Sequence, residues 1–331
     1  MARIVPITLP TPYQIGDVNV YFVEDERPML IDAGPPDEGA RTILREKLKA
    51  LGYEFRDLKG IVVTHFHPDH FGLAQVIAAE AGIPIHMHPL ELYLQRTRSE
   101  KAQKVFCGWD LPATWDSRRI DPSRWIPSSY RPFGVTFTPV DDDEMISTGE
   151  MNFEIHFSPG HSLGHVVLRE KGTGWLFSGD TLMQKVVPNP FIYHVEGERV
   201  PTLPIYLESL HKLRGLRVDK VFPAHGEPFE DLPAVVDAIC EHFLQKTVDV
   251  YEILRDIGEG SLLQISQQLY PLHIDREAYM VMSKTLGCLD MLRQINVVHS
   301  AGDHYTLFSA KNSDPGNKGI QEQLKDLILP K

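Results

Sequence analysis

The stretch Gly60-Ile61-Val62-Val63-Thr64-His65-Phe66-His67-Pro68-Asp69-His70 decides the fold. Its first four residues form a short apolar run, three of them β-branched, a strand rather than a helix. The seven that follow contain three histidines and an aspartate, and a chance HxHxDH in a chain of 331 residues is expected roughly 0.002 times. In an extended segment residues i and i+2 point the same way, so His65 and His67 can bind one metal ion together. Asp69 and His70 fall where the chain turns into a helix beginning near Phe71, and they point to a second place, a second ion.

Four more segments share this arrangement. Ile31-Asp32-Ala33-Gly34 follows Met29–Leu30, Ser158-Pro159-Gly160-His161 follows Phe153–Phe157, Ser178-Gly179-Asp180 follows Trp175–Phe177, and Pro223-Ala224-His225-Gly226 follows Val221–Phe222. Each sets a ligand-type residue beside glycine just past the carboxyl end of an expected strand, where α/β layers place their sites. Asp180 is the leftover carboxylate suited to bridge two ions. Further strands are expected over Val18–Val23 and Val166–Leu168, and helices over Glu38–Leu51 and Phe71–Ala81, the latter stopping at Gly82. Strands alternating with helices on this scale imply a layered α/β architecture.

IDAG, THFHPDH, PGHSLGH, SGD and PAHGE, in this order, resemble the metallo-β-lactamase-fold hydrolase superfamily over about residues 1–230. The resemblance is to its lactamase-beta-2-like and glyoxalase II-like branch. It implies a four-layer αβ/βα sandwich with a binuclear site at one edge of the sheets, carried by a catalytic domain over residues 1–235. It places His65, His67 and His161 on one ion and Asp69, His70 and His225 on the other, with Asp180 bridging. Asp32 is expected to orient the HxHxDH loop, and His165 to support the site rather than ligate. No cysteine occupies a motif position, which disfavours the β-lactamases that use a cysteine ligand. The C-terminal segment is more like the winged-helix tail of lactamase-beta-2-like hydrolases than the thiol-binding domain of glyoxalase II, so a glutathione pocket does not carry over.

Residues 91–135 interrupt the pattern. Eight basic residues against five acidic ones leave +3 there, and seven aromatic residues are interleaved. The segment reads either as a surface insertion whose aromatics pack locally or as a lid that helps bind an anionic substrate. Beyond 240 the texture turns helical, over His242–Ile257, Ser261–Leu269 and Arg276–Ile295. Val297–Ser300 and His304–Phe308 then flank a turn at Ala301-Gly302-Asp303. This is a winged-helix-like order, taken as a domain over 240–310 and followed by a linker and a short terminal helix within 311–331. Five basic residues against nine acidic ones leave −4 over 241–310. An acidic surface is poor at releasing counterions from nucleic acid, which favours packing or homodimerisation.

The whole chain carries 33 Lys and Arg against 45 Asp and Glu, a formal charge of −12, which disfavours coating nucleic acid or an anionic membrane. Its opening residues lack a basic-then-apolar signal pattern, and no apolar run reaches membrane-spanning length. The three cysteines, Cys107, Cys240 and Cys288, form no disulfide framework. A reducing, cytoplasmic setting is the expectation. The cofactors expected are two divalent cations, with zinc the default and iron or manganese the alternatives. Such a pair about 3.5–4 Å apart would share a water, and the derived hydroxide would attack an acyl bond (thioester, ester or lactone) of a small molecule. Asp69 would orient it or take its proton. The competing expectations are a phosphodiesterase acting on RNA or DNA, an iron-dependent persulfide dioxygenase, and a winged-helix regulator with a degenerate hydrolase domain.

Overall fold

The strand expected before the histidine motif is the fourth of a six-stranded sheet. A computed structural model of the chain describes residues 2–94, 134–307 and 316–330, and the expected insertion lies outside them except at its two ends. The described residues group into two compact units, one of 2–94, 134–188 and 216–232, the other of 189–215 with 233–307 and 316–330.

In the first unit, β1 (Arg3–Leu9), β2 (Val18–Glu24) and β3 (Met29–Ile31) form an antiparallel run. β4 (Gly60–Val62), β5 (Ile85–Met87) and β6 (Phe137–Pro139) then continue parallel to β3. The parallel neighbours need crossovers. Between β3 and β4 lies α1 (Glu38–Ala50), whose Ala40, Leu44 and Leu48 are buried and whose N-terminus is capped by Asp37. Between β4 and β5 lie α2 (Pro68–Phe71) and α3 (Ala74–Ala81). The single helix expected over Phe71–Ala81 is thus broken at Gly72 and Leu73, while its stop at Gly82 is a left-handed cap with φ 67°.

The second sheet runs β13 (Lys220–Pro223), β10 (Trp175–Gly179), β9 (Val166–Glu170), β8 (Asn152–Phe157), β7 (Met145–Ser147). It is antiparallel except where β10 pairs with β13. Alternate residues of each strand point to opposite faces. Tyr21, Ile31 and Val62 of the first sheet therefore meet Phe153, Ile155, Leu168 and Phe177 of the second in one apolar core. Phe22, Leu30 and Ile61 are fully buried and do not join that core. The Tyr21 and Phe177 rings meet edge-on with centroids 5.0 Å apart, a geometry that adds to simple burial. This layering is the α/β sandwich the motifs imply, and the carboxyl ends of β3, β4, β8, β10 and β13 open into its five motif loops.

The second unit contains a hairpin of β11 (Tyr193–Val195) and β12 (Glu198–Val200), then α4 (Thr202–Arg214), α5 (Leu232–Ile257), α6 (Leu262–Leu269), α7 (Ile274–Gln294) and α8 (Gly316–Ile328). β14 (Glu259–Ser261), β16 (His304–Leu307) and β15 (Val298–Ala301) pair in that spatial order. The grouping differs from a boundary near 235–240, because 189–215 joins the C-terminal residues. The cause is packing that no local pattern announces. Leu203, Leu207, Leu210 and Leu213 of α4 are buried, Tyr206 meets Phe243 edge-on at 6.2 Å, and Arg199 grips the buried Asp290 through both its terminal nitrogens at 2.6 and 2.7 Å. The terminal helix buries Ile320, Leu324 and Ile328, and His211 contacts the carbonyl of Ile328. Among the described residues no helix is long and apolar enough to cross a membrane.

Candidate metal centre

The loop after β4 is tied down before any ligand is considered. Asp32, 2% exposed, adopts the left-handed region at φ 59°, which aspartate tolerates better than most residues. Its Oδ1 accepts from the Thr64 amide at 2.8 Å, and its carboxylate accepts from Thr64 Oγ1 at 2.9–3.0 Å. Its Oδ2 lies 2.8 Å from His70 Nδ1. A carboxylate offers only acceptors, so His70 carries a proton on Nδ1 and Nε2 faces the interior. Asp32 thus sits where an orienting residue must.

One cluster joins His65, His67 and His161, all buried. His67 Nδ1 lies 2.9 Å from His65 Nε2 and 2.9 Å from His161 Nε2. The Thr64 hydroxyl spends its proton on Asp32 and accepts from His65 Nδ1 at 3.1 Å. His65 therefore presents a bare Nε2 to its neighbours. Burial, followed by the adjacent imidazoles, pushes the pKa of His65 well below its ordinary value. Three imidazole nitrogens directed at one point form a donor set suited to a cation.

The other cluster joins Asp69, His70 and His225. His225 donates Nδ1–H to the carbonyl of Asp17 at 2.7 Å, leaving Nε2 3.4 Å from Asp69 Oδ2 and 3.6 Å from Asp180 Oδ1. His70 Nε2 lies 3.4 Å from Asp180 Oδ1 and 3.8 Å from Asp69 Oδ1. The second oxygen of Asp180 lies 3.4 Å from His161 Nε2, so this carboxylate reaches both clusters with different oxygens. His70 Nε2, Asp180 Oδ1 and His225 Nε2 are buried atoms with no hydrogen-bond partner. Each would cost about 1–3 kcal/mol if left so. A cation among them removes that cost, so the donor set fits a pair of divalent ions. In the metal-free state protons substitute in part. Burial would lower the pKa of His70, but Asp180, Asp32 and Asp69 hold it well above the usual histidine range. Burial would raise the pKa of Asp180, but His70, His225 and His161 hold it well below the usual carboxylate range.

His165 is fully buried among these groups yet has no lone pair to spare. Its Nε2 accepts from the Asp180 amide at 3.2 Å, and its Nδ1 lies 3.0 Å from Thr181 Oγ1. Burial keeps it neutral. It fixes the turn that carries Asp180, and that turn must be glycine at 179. With φ 50° there, a Cβ would stand 2.8 Å from the His165 ring and from Thr64 Oγ1. The structure thus brings together all seven expected ligand residues, with Asp32 and His165 against them.

One residue at the site was not singled out from the sequence. Glu91, counted there only as a charge at the start of the insertion, is fully buried and accepts from three donors in the two histidine loops. Its only sequence signal is an acidic residue in an otherwise apolar turn, which burial alone makes meaningful.

A layered α/β fold whose strand ends converge on two clusters of histidine and aspartate able to hold metal ions defines a metallo-hydrolase. The family model of the metallo-beta-lactamase superfamily matches residues 14–225, and the chain belongs to that superfamily. It is 30% identical over 312 residues to the probable metallo-hydrolase YqjP of Bacillus subtilis (strain 168), covering 92% of this chain and 97% of that one. It is 21% identical to a beta-lactamase-like protein 2 homolog of Caenorhabditis elegans, over 79% of this chain and 73% of the other. A match to a hydroxyacylglutathione hydrolase of Legionella pneumophila (strain Corby), 34% identical, spans only 28% of this chain and 34% of that one. Among solved structures, a metallo-beta-lactamase family protein of Thermus thermophilus superposes with a TM-score of 0.78 at 24% identity, over 92% of this chain and 98% of the other.

Proposed function

We propose that the chain is a binuclear metal-dependent hydrolase acting on an acyl bond (thioester, ester or lactone) of a small molecule. The observation that carries this reading is the reach of Asp180 into both clusters, with three buried ligand atoms otherwise unpartnered. His65, His67 and His161 would hold one cation, Asp69, His70 and His225 the other. When bound, divalent cations polarise a carbonyl oxygen and lower the pKa of a coordinated water, zinc being the default for such chemistry.

The chain's own groups supply the rest. Asp180 sets the spacing between the two ligand groups, and Asp69 directs or accepts the proton released by the attacking water. Among the described residues, two serines beside the clusters and two cysteines are otherwise engaged. Ser162 donates to Glu91, and Ser158 lies within hydrogen-bond distance of His165 and Thr181. Burial pushes the thiols of Cys240 and Cys288 up to about 12, so neither is a nucleophile at neutral pH. In this reading water is the attacking species, activated at the metal pair rather than by a protein nucleophile. The acidic chain, −12 overall, supports a small substrate over nucleic acid, and the −4 balance over 241–310 supports a packing role for the winged-helix-like C-terminal residues. The absence of a disulfide framework among three cysteines supports a reducing, cytoplasmic setting.

The deciding experiment presents metal-defined protein with thioesters, lactones, phosphodiesters and persulfides in parallel. Thioester or lactone turnover that disappears in His67→Ala supports the reading. Turnover confined to phosphodiesters or persulfides overturns it.

A further inference from the structure

Two ligand loops that belong to different sheets must be held at one separation. His65 and His67 follow β4 of the first sheet, and His161 follows β8 of the second, so neither strand ladder fixes the distance between them. The Val166 amide donates to the Thr64 carbonyl at 3.0 Å, at the base of the two loops, and a side chain spans the gap nearer the ligands. Glu91, in the helical turn over 89–94, is fully buried, and its Oε2 accepts from the amide of Phe66, the residue between His65 and His67, at 2.7 Å. Its Oε1 accepts from Ser162 Oγ, next to His161, at 2.8 Å and from the Gly164 amide at 2.5 Å. Gly164 is required for that approach, because a Cβ there would lie 2.8 Å from the Glu91 backbone nitrogen and 2.9 Å from Oε1.

We propose that Glu91 is a positioning residue for the His65–His67–His161 cluster: a buried carboxylate that joins the two loops supplying its three ligands. Three donors converging on one carboxylate stabilise its ionised form, and charged acceptors make the stronger hydrogen bonds. Glutamine would keep the size but lose the charge, and its amide nitrogen would confront either the Phe66 N–H or the Ser162 and Gly164 donors. The loops would then part, and the cation held by these histidines would be bound more weakly. The other cluster takes Asp69, His70 and His225, none of which Glu91 contacts through these bonds, and would be spared.

The inference rests on the metal-binding reading above, and one titration separates the two. The metal-free full-length protein is titrated with Co2+ alone, following stoichiometry and the visible absorption of each bound ion. Wild type, Glu91→Gln, Ser162→Ala and His67→Ala are compared. Outer groups that orient ligands typically contribute about 10–100-fold in metal affinity. Glu91→Gln is expected to weaken one of two sites by that factor, shift its absorption, and leave the other site within about threefold. Ser162→Ala, which removes one of the three bonds and serves if Glu91→Gln does not fold, is expected to weaken the same site about threefold or more. A folded Glu91→Gln, or in its place Ser162→Ala, that binds both ions with wild-type affinity and spectrum overturns the role of Glu91. If His67→Ala still binds two ions, the metal-binding reading itself fails.

Discussion

Replacing Asp32 by asparagine is expected to damage one metal cluster through a single proton. Asparagine accepts the left-handed backbone at φ 59° and nearly preserves shape, so the change isolates hydrogen bonding. In the wild type every neighbour donates to Asp32: the Thr64 amide at 2.8 Å, the Thr64 hydroxyl and His70 Nδ1 at 2.8 Å. An asparagine amide has only one acceptor atom. With that oxygen towards Thr64, its NH2 faces His70 Nδ1, and the imidazole relieves the clash by moving its proton to Nε2, the atom aimed at Asp180 and Asp69. A cation can bind there only by forcing the proton back against the amide donor. Setting donor against donor costs about 1–3 kcal/mol, so affinity at the Asp69–His70–His225 cluster should fall about 10–100-fold. The His65–His67–His161 cluster should stay within about threefold, since Thr64 keeps an acceptor. Chelator competition gives both affinities, and 15N-detected imidazole shifts report the tautomer. Asp32→Asn binding both ions within about twofold of wild type, with His70 still protonated at Nδ1, would show that the Asp32 carboxylate does not set the His70 tautomer.

Three further outcomes follow from the same geometry. Asp180→Ala should weaken both sites, whereas His225→Ala should weaken one, as read by metal content after dialysis; equal effects of the two would contradict the bridging position of Asp180. In the metal-free protein, raised values keep His70 and His225 protonated above pH 6.5, while lowered values keep His65 and His165 neutral below it. An NMR titration should show this order, and adding zinc should abolish the protonated form of His70 and His225 and leave His165 unchanged. Cys240 and Cys288, with thiols pushed up to about 12 by burial, should resist a thiol reagent at about pH 8 until the protein is denatured. Labelling of either in the native protein would show that the second unit opens readily.

The strand ends and the candidate ligand residues that follow them were legible in local sequence pattern. Alternation and short β-branched runs are local, and His65, His67, Asp69 and His70 announce themselves through spacing alone. Contacts between distant segments supply what spacing cannot encode. Asp180 spans both clusters only because β10 and β4 bring their ends together from two sheets. His165, a histidine like the others in the sequence, differs from them in that its two ring nitrogens already face the Asp180 amide and Thr181. Glu91 was hidden because a carboxylate's meaning depends on which donors surround it, and Phe66, Ser162 and Gly164 reach it from positions 25 to 73 residues away. The association of 189–215 with the C-terminal helices was hidden likewise, since a leucine-lined helix specifies that it will be buried but not against which partner.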